Sequence, residues 1–337
     1  MKKIGVLGAG TWGMALARML SVSGHHVTVW SALESEIDNL SATRRHPNLP
    51  GMEIPEAIAF TKDIAAACEG RDIVLFAVPS PFVRATARKA APHIRAGQVV
   101  VDVAKGIEAD TLMTMSQIIE SELLTPVPLV ALSGPTHAEE VAQDLPTTIV
   151  SASADDAAAA LVQDVFSNTC MRVYTNADIV GVELCGALKN IIALASGICT
   201  GLGYGDNIRA ALITRGIVEM TRLGTAMGCR AETFGGLAGI GDLIVTATSR
   251  HSRNNRAGQL IGSGKTPEQA IREVGMVVEG INALPAAMRL MAQYGVEMPI
   301  VEAVNAVVFQ GVDPRSAVRE LMTRDRKPEM PGASLTR

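Results

Sequence analysis

The chain has 337 residues, which is roughly enough for two or three domains of ordinary size. Hydrophobic residues make up 48% of it and aromatic residues only 3%, so aliphatic side chains and methionine must fill a large core. The formal net charge of −4 excludes the strongly basic surface with which proteins bind nucleic acid, so we expect no nucleic-acid partner.

The first half of the chain alternates short apolar strands with helical segments. The predicted strands are Lys3–Leu7, His26–Trp30, Ile73–Ala77, Val99–Asp102 and Leu129–Leu132. The predicted helices between them include Met14–Ser23, Pro81–Ala91 and Leu112–Leu123. Apolar strands that alternate with helices form a parallel sheet that is covered on both faces. The first half is therefore predicted to be a Rossmann-like, mostly parallel α/β domain.

The pattern changes near Asp178, after which strand signals nearly vanish. The sequence is helical and rich in small residues from Val180 to Met227, and further helical stretches follow to about Met322. We therefore predict a nucleotide-binding sheet domain at 1–179 and an all-helical substrate domain at 180–325. The remaining residues, 326–337, contain two prolines and a glycine and are predicted to be a loose tail.

Cysteine usage and the N-terminal sequence indicate a cytoplasmic protein. The five cysteines are widely spaced and form no C-x-x-C motif, which argues against a disulfide framework or a zinc site. The histidines also lack metal-ligand spacing, so we predict no metal. A strand pattern follows Lys2 and Lys3, where a signal peptide would have an apolar core. The sequence has no uninterrupted run of about 18 apolar residues, so we expect no membrane span.

A glycine-rich turn, GAGTWG, joins the first predicted strand to the first helix. Gly8 would form the tight turn, Gly10 would let a pyrophosphate approach the backbone, and Gly13 would let the helix pack on the strand. The N-terminal amides of the helix would then face the phosphates. Three glycines at this spacing also occur in ordinary strand–helix turns, and it is the strand, helix and second strand around them that favour dinucleotide binding.

The end of the second predicted strand leaves the choice between NADH and NADPH open. An acidic residue there would bond the ribose 2′-hydroxyl, whereas an arginine would suit a 2′-phosphate. In VWSALESE, Ser31 and Ala32 occupy this position, and the first acid is Glu34. Arg44 and Arg45 lie further along the chain and could fold back toward it.

Two lysines are candidates for the chemistry. Lys105, in VAKGIE, follows a predicted strand at the carboxyl edge, where open α/β sheets bind ligands. Lys189 lies in GALKNIIALASGICTG, an apolar helix in which an unpaired charge is unusual. The alternatives are a surface position for Lys105 and a side chain that snorkels from the helix end for Lys189. In the functional interpretation, a partly buried Lys189 gives a proton to a substrate oxygen.

A second glycine-rich stretch, GGLAGIGDLIVTATSRHSRNNR, combines one acid with a basic and amide cluster. Asp242 and Thr246 would share a face if a helix begins near Gly241. Arg253, Asn254 and Arg256 form a basic and amide cluster that is suited to a phosphate. A solvated loop is the alternative, but such a loop would not require so many glycines beside one acid.

The motifs GAGTWG, AKGIE, SGPTHA, GALKNIIALASG, ITRG, GLAGIGDL, SRNNR and VVEG span both halves of the chain. In these motifs the chain resembles the NAD(P)-dependent glycerol-3-phosphate dehydrogenases of bacterial type. The resemblance implies a Rossmann-like domain and a helical domain like the C-terminal domain of 6-phosphogluconate dehydrogenase. It implies reversible hydride transfer from NAD(P)H to C2 of dihydroxyacetone phosphate. The product would be sn-glycerol 3-phosphate for phospholipid synthesis.

The resemblance also implies roles for individual residues. Lys189 would be the proton donor or acceptor and Lys105 its partner, with Asn190, Asp242 and Thr246 orienting these groups. The implied substrate-binding residues are Lys105, Gly134, Thr136, Lys189, Asp242, Ser252, Arg253 and Asn254. The predicted cofactor-binding residues combine the glycine-rich turn and the end of the second strand with the positions that the resemblance adds. They are Gly8, Gly10, Thr11, Trp12, Gly13, Ser31, Ala32, Lys105, Ala138, Arg253, Val277 and Glu279. A homodimer is expected because it is the commonest assembly.

Two positions depart from the family pattern. Ala32 stands where many bacterial members carry a basic residue or histidine, which puts a strong NADPH preference in doubt. His137 stands where an aromatic residue is common, and we interpret it as a packing residue.

Other functions fit parts of the sequence. Dehydrogenases that act on β-hydroxyacids, ketopantoate or sugar nucleotides share the two-domain plan, and the β-hydroxyacid enzymes also use a helical Lys–Asn pair. The stretch from GLAGIGDL to SRNNR argues against them because it supplies a phosphate site. The sugar-nucleotide enzymes need a reactive thiol, whereas Cys185 and Cys199 lie in apolar surroundings. If the protein were a non-catalytic NAD(P) redox sensor, Lys105 and Lys189 would have no function.

Overall fold

The computed structural model describes residues 1–168, 170–326 and 329. Within them, eight strands form one sheet in the order β3-β2-β1-β4-β5-β6-β7-β8. Neighbouring strands are parallel except β6 and β7, which are antiparallel. The strands are β1 (Lys3–Leu7), β2 (His26–Trp30), β3 (Ala59–Thr61), β4 (Ile73–Phe76), β5 (Val99–Asp102), β6 (Leu129–Ser133), β7 (Thr147–Ala152) and β8 (Met171–Asn176).

Helices cover both faces of the sheet and then continue without further strands in the described residues. Those of the sheet region are α1 (Thr11–Val22), α2 (Glu34–Thr43), α3 (Ile64–Cys68), α4 (Val83–Ala90), α5 (Met115–Glu122), α6 (Ala138–Val141) and α7 (Asp156–Phe166). Those that follow are α8 (Ile179–Gly201), α9 (Asp206–Ala226), α10 (Ala231–Phe234), α11 (Asp242–Thr248), α12 (Arg253–Gly262), α13 (Pro267–Val274), α14 (Glu279–Tyr294), α15 (Pro299–Phe309) and α16 (Pro314–Thr323). The predicted fold class, a mostly parallel α/β region followed by a helical region, is confirmed.

The register of the strands brings several predicted site segments to one edge of the sheet. Leu7, Trp30, Phe76 and Asp102, the last residues of β1, β2, β4 and β5, are aligned across the sheet. The segments that begin one to three residues later therefore meet at the carboxyl edge, where open α/β sheets bind ligands.

The five predicted strands correspond to β1, β2, β4, β5 and β6, but three further strands were not predicted and several helix boundaries differ. The prediction missed β3, β7 and β8, because β3 has only three residues and β8 alternates buried with exposed side chains. The helix predicted from Leu112 begins at Met115, because Leu112 has a φ of +62° and the Thr114 side chain caps the helix. Two other helices differ, since α1 begins at Thr11 and a short 3-10 turn precedes α4.

The last strand ends at Asn176 and α8 begins at Ile179, next to the predicted domain boundary, which itself stays a prediction. Of the predicted tail at 326–337, only Arg326 and Glu329 are among the described residues.

The central helix of the second half is α8. By length and composition it could cross a membrane, but 89% of its most apolar window is buried within the fold. It crosses α12 closely at glycines: a Cβ at Gly197 would lie 2.1 Å from the Asn255 carbonyl oxygen, and one at Gly258 would lie 2.2 Å from that of Leu194. Since neither contact tolerates a side chain, this crossing sets the distance between the two helices and places the start of α12 beside α8.

Candidate active site

The glycine-rich turn after β1 has the geometry of a phosphate cradle. Gly8 has a φ of +122°, and a Cβ there would lie 2.6 Å from the Ala77 carbonyl oxygen. A Cβ at Gly13 would lie 2.2 Å from the Gly8 carbonyl oxygen, so this glycine lets α1 pack on the turn. A Cβ at Gly10 would meet no heavy atom within 4 Å. The backbone before the N-terminus of α1 therefore faces open space, which fits a dinucleotide pyrophosphate.

The two candidate lysines meet at one carboxylate, although they come from different halves of the chain. Lys105 Nζ donates to Asp242 Oδ2 at 2.6 Å, and Lys189 Nζ donates to Asp242 Oδ1 at 2.9 Å. Lys189 also donates to Thr246 Oγ1 at 2.5 Å. We call these four residues the lysine cluster. It is enclosed, since Lys189 is 4% exposed and Asp242 1% exposed.

Small residues make this convergence possible. Lys105 lies in the loop after β5, and a Cβ on Gly186 of α8 would be 3.3 Å from its Cγ. Asp242 follows a π-helical turn at Leu237–Gly241, where a Cβ on Gly239 would lie 2.0 Å from the Phe234 carbonyl oxygen. The glycines of GGLAGIGDL thus let the chain fold tightly enough to bring Asp242 onto α8.

The charges of the lysine cluster alter one another's pKa values. Burial lowers the pKa of Lys189 from 10.5 to about 8, with Lys105 adding to this effect and Asp242 opposing it. Burial also works against the charged form of Asp242, but the two ammonium groups outweigh it and hold the pKa of this carboxyl below its ordinary value. Asp242 therefore stays ionised, while Lys189 is able to exchange a proton near neutral pH.

A chain of side-chain amides joins the lysine cluster to the start of α12. Asn190, next to Lys189, donates to the Gly186 carbonyl oxygen at 3.0 Å. Asn254 Nδ2 donates to Asn190 Oδ1 at 2.9 Å, and the Gly280 amide donates to Asn254 Oδ1 at 2.8 Å. These bonds connect α8, α12 and α14, so Asn190 and Asn254 are fixed in place.

The predicted substrate residues lie around this cluster. The Gly134 carbonyl oxygen accepts from Lys105 Nζ and from Thr136 Oγ1, both at 3.1 Å. The buried Ser252 caps α12 by accepting from the Asn255 amide at 3.2 Å, and Arg253, the first residue of that helix, is exposed. The predicted residues thus line two neighbouring places, the lysine cluster and the N-terminus of α12.

The predicted cofactor residues are more widely spread. Thr11 and Trp12 begin α1, and Ala138 begins α6. Glu279 begins α14 and accepts from the Ser80 amide at 3.2 Å and from Ser80 Oγ at 2.6 Å. Burial raises the pKa of this glutamate.

Some cofactor residues have no contact with the lysine cluster. Val277 is half-buried just before α14, and Ala32 is exposed just after β2. Among the described residues, no hydrogen bond joins the glycine-rich turn, Ser31 or Ala32 to the lysine cluster. An extended ligand would be needed to span the two places.

The structure adds detail on two side chains that were not predicted to act at the site. Glu36 was not predicted, yet its Oε2 accepts from Ser31 Oγ at 2.6 Å; its position near the start of a helix that follows β2 was the available signal. His137 is half-buried, its ring is 5.8 Å from that of His251, and its Nε2 is buried without a hydrogen-bond partner in the described part of the chain. Its interpretation as a packing residue stays a prediction.

Comparison with known proteins gives one consistent result. The sequence profile of the NAD-dependent glycerol-3-phosphate dehydrogenase N-terminus matches residues 3–159, and that of the C-terminus matches residues 178–319. The chain is 67% identical to glycerol-3-phosphate dehydrogenase [NAD(P)+] 2 of Lactobacillus delbrueckii subsp. bulgaricus, over 98% of this chain and 99% of the relative. It is 53% identical to glycerol-3-phosphate dehydrogenase [NAD(P)+] of Agathobacter rectalis, over 98% of each.

A solved structure agrees with these sequence matches. The crystal structure of glycerol-3-phosphate dehydrogenase from Coxiella burnetii superposes with a TM-score of 0.92 at 37% identity, covering 96% of this chain and 99% of the other. Both halves of the chain, their order and their fold thus agree with one family. The chain belongs to the NAD-dependent glycerol-3-phosphate dehydrogenase family.

Proposed function

We propose that the protein catalyses the reversible reduction of dihydroxyacetone phosphate to sn-glycerol 3-phosphate with NADH or NADPH. The observation that carries this proposal is the Asp242 carboxylate, which holds the Lys105 and Lys189 ammonium groups together in a buried position. A ketone that is reduced to an alcohol develops negative charge on its oxygen, and two fixed ammonium groups stabilise that charge. The names of the close relatives support this substrate.

Each lysine has one hydrogen-bond donor left for the substrate. An ammonium group has three N–H donors. Lys189 uses two of them on Asp242 and Thr246, and Lys105 uses two on Asp242 and the Gly134 carbonyl. The two remaining donors would converge on the C2 oxygen, where Lys189 gives up its proton as the alkoxide forms. In the reverse direction a neutral Lys189 takes the proton from the alcohol.

The phosphate of the substrate would bind at the N-terminus of α12. The free backbone amides of a helix N-terminus attract anions, and the exposed Arg253 can add a bidentate contact. Ser252 and Asn254 fix this end of the helix, and Asn254 bonds to Asn190 next to Lys189. The phosphate and the reacting carbon are thereby bound by neighbouring elements.

The residues at the carboxyl edge fit a nicotinamide dinucleotide. The glycine-rich turn, with Thr11 and Trp12, would hold the pyrophosphate, and Ser31 and Ala32 would lie beside the adenosine ribose. Ala138, Val277, Glu279 and Arg253 would bind toward the nicotinamide half. When bound, the nicotinamide ring supplies the hydride. The protein's residues orient the ketone, exclude water and supply the proton.

The reverse reaction tests this function. We expect sn-glycerol 3-phosphate to reduce NAD+ or NADP+ in the presence of the purified protein, with reduction followed by absorbance. Glycerol is the matched control because it offers the same alcohol without the phosphate. Equal rates with glycerol and glycerol 3-phosphate would contradict the assignment, and cofactor binding without turnover would instead favour a redox sensor.

Replacing Arg253 with alanine is expected to raise the KM for dihydroxyacetone phosphate by about 10- to 100-fold, because a charge-assisted contact to phosphate is lost. The kcat should change much less, since Arg253 is not part of the lysine cluster. Steady-state kinetics at saturating cofactor measure both constants. Arg272→Ala, which removes an exposed arginine on α13, is the control and should leave KM unchanged. A KM that Arg253→Ala leaves unaltered would place the phosphate elsewhere.

The pH dependence should follow Lys189. Since reduction needs the protonated amine and the pKa is about 8 in the ligand-free protein, kcat/KM for reduction should fall as pH rises through about 8. The kcat/KM for oxidation should rise over the same range, because that direction needs the neutral amine. Burial and the Lys189 charge lower the pKa of His137 below its ordinary 6.5, so this histidine does not account for a change near pH 8. If the rate constants for reduction and oxidation both rose, or both fell, with increasing pH, this role for Lys189 would be excluded.

The remaining proposals concern the cellular location, the domains and the assembly of the protein. The buried thiols of Cys68, Cys185, Cys199 and Cys229, which form no disulfide, support the proposal that the protein works in the cytoplasm. We also propose a sheet domain at 1–179 and a helical domain at 180–325. A homodimer and a role in supplying phospholipid synthesis stay predictions.

A further inference from the structure

The end of β2 lies directly beside the glycine-rich turn. The Gly8 amide donates to the Trp30 carbonyl oxygen at 2.8 Å. Ser31, the next residue after Trp30, therefore lies beside the glycine-rich turn. In dinucleotide-binding sheets this position faces the adenosine ribose, whose 2′ substituent distinguishes NAD(H) from NADP(H). The side chains gathered here therefore determine which cofactor fits.

An acid that the strand itself lacks is supplied by α2. Glu36 lies in the first turn of that helix, and its Oε2 accepts from Ser31 Oγ at 2.6 Å. Ser31 Oγ also accepts from the Leu33 amide at 3.2 Å, so the hydroxyl is held at both sides. The carboxylate of Glu36 is thus fixed against Ser31, the first residue after β2, although it comes five positions later in the chain.

His46 is a buried imidazole whose pKa is affected by both this carboxylate and the cofactor turn. The imidazole is 4% exposed, and its burial lowers its pKa, while the charge of Glu36 and the backbone of Ala9 both oppose the shift. His46 therefore lies near both Glu36 and Ala9, and Ala9 is the residue between the first two glycines of the turn. The carboxylate and the turn share one neighbourhood.

Two basic side chains that could bind a 2′-phosphate here, Arg44 and Lys62, already have other partners. Arg44 donates to the Ile58 carbonyl oxygen at 2.8 Å, pairs with Glu56 at 3.5 Å and lies over the Phe60 ring at 5.1 Å. Lys62 donates to Asp38 at 2.9 Å and lies 3.5 Å from Glu34.

Two other residues that the sequence singled out here are Ala32 and Arg45. Ala32 has no charge to contribute. Arg45 is exposed, and its backbone pairs with that of the acidic Glu53.

We propose that Glu36, held by Ser31, makes this protein prefer NADH to NADPH. The carboxylate would accept a hydrogen bond from the ribose 2′-hydroxyl of NADH, whereas the 2′-phosphate of NADPH would place two like charges together. This inference rests on the proposed function only in requiring that the protein binds a nicotinamide dinucleotide.

Equilibrium binding without substrate is the test. We would titrate the full-length protein with NADH and with NADPH by isothermal calorimetry and compare the two Kd values. The Kd for NADPH should exceed that for NADH by about tenfold or more, because like charges at one site cost several kcal/mol. In Glu36→Gln, which keeps a hydrogen-bonding group but loses the charge, this ratio should fall by about fivefold or more.

Glu120→Gln is the control, because it removes an exposed carboxylate on α5 and leaves the acidic partners of Arg44 and Lys62 in place. Its ratio of Kd values should equal that of the wild type. Equal Kd values for NADH and NADPH in the wild type would overturn the proposal, and this measurement requires no variant to fold. So would a ratio in Glu36→Gln that matches the one in Glu120→Gln. Failure of the proposed function appears differently, as absence of turnover with dihydroxyacetone phosphate whatever the Kd values are.

Discussion

Replacing Lys189 with methionine is expected to lower kcat for the reduction by about 10³-fold or more. The loss combines the missing proton donor, worth about 10²- to 10⁴-fold, with the loss of one of two charges that stabilise the alkoxide. Methionine has similar length and no charge, so it suits a position that is 4% exposed. The Kd for NADH should change little, because Lys189 makes no hydrogen bond to the glycine-rich turn or to Ser31.

Rapid-mixing kinetics and cofactor titration of the same preparation would separate these two effects. Lys265→Met is the control, since Lys265 is a partly exposed lysine that pairs with Glu273 on the helical region. It should retain wild-type kcat. A Lys189→Met enzyme that keeps most of its turnover would remove Lys189 from the chemistry, and one that loses NADH binding would show a structural role instead.

Replacing Asp242 with asparagine is expected to damage both stability and activity. Two ammonium groups would remain close together in a buried place without their counter-charge. Breaking a buried ion pair in this way costs about 3–5 kcal/mol of the free energy of unfolding. The pKa of Lys189 should also fall further, since Asp242 opposes the effects of burial and of Lys105 on it. The pH at which reduction declines should therefore move below about 8.

Urea denaturation and the pH profile of kcat/KM test these two consequences separately. Asp164→Asn on α7, where the carboxylate is exposed, is the control and should change neither. If Asp242→Asn had wild-type stability and an unchanged pH profile, the two lysines would not depend on this carboxylate, and the charge arrangement described above would be wrong.

Local sequence signals predicted the parts of the molecule that depend on short-range structure. β1, β2 and β5 agree with the structure to the residue, because each is an apolar run that fits a buried parallel strand. The same holds for the glycine-rich turn, where a φ of +122° at Gly8 requires a glycine. Lys105 and Lys189 could be singled out because one follows a strand at the carboxyl edge and the other interrupts an apolar helix.

Contacts between distant segments could not be predicted in the same way. Asp242 is 137 residues from Lys105 and 53 from Lys189, and their pairing depends on how α11 packs against α8. The missed strand β8 lies at the edge of the sheet, where its exposed side chains dilute the apolar pattern. In each case tertiary packing, not local preference, decides the arrangement.

We propose that the lysine cluster stabilises and protonates the C2 oxygen of dihydroxyacetone phosphate while the nicotinamide cofactor supplies the hydride. The most direct measurement is the oxidation of NADH and, separately, of NADPH by the purified protein on addition of dihydroxyacetone phosphate, followed by the loss of nicotinamide absorbance. We expect rapid turnover with glycerol 3-phosphate as the product, and faster turnover with NADH when both cofactors are well below saturation. No turnover with either cofactor, in a protein that demonstrably binds one of them, would contradict the claim.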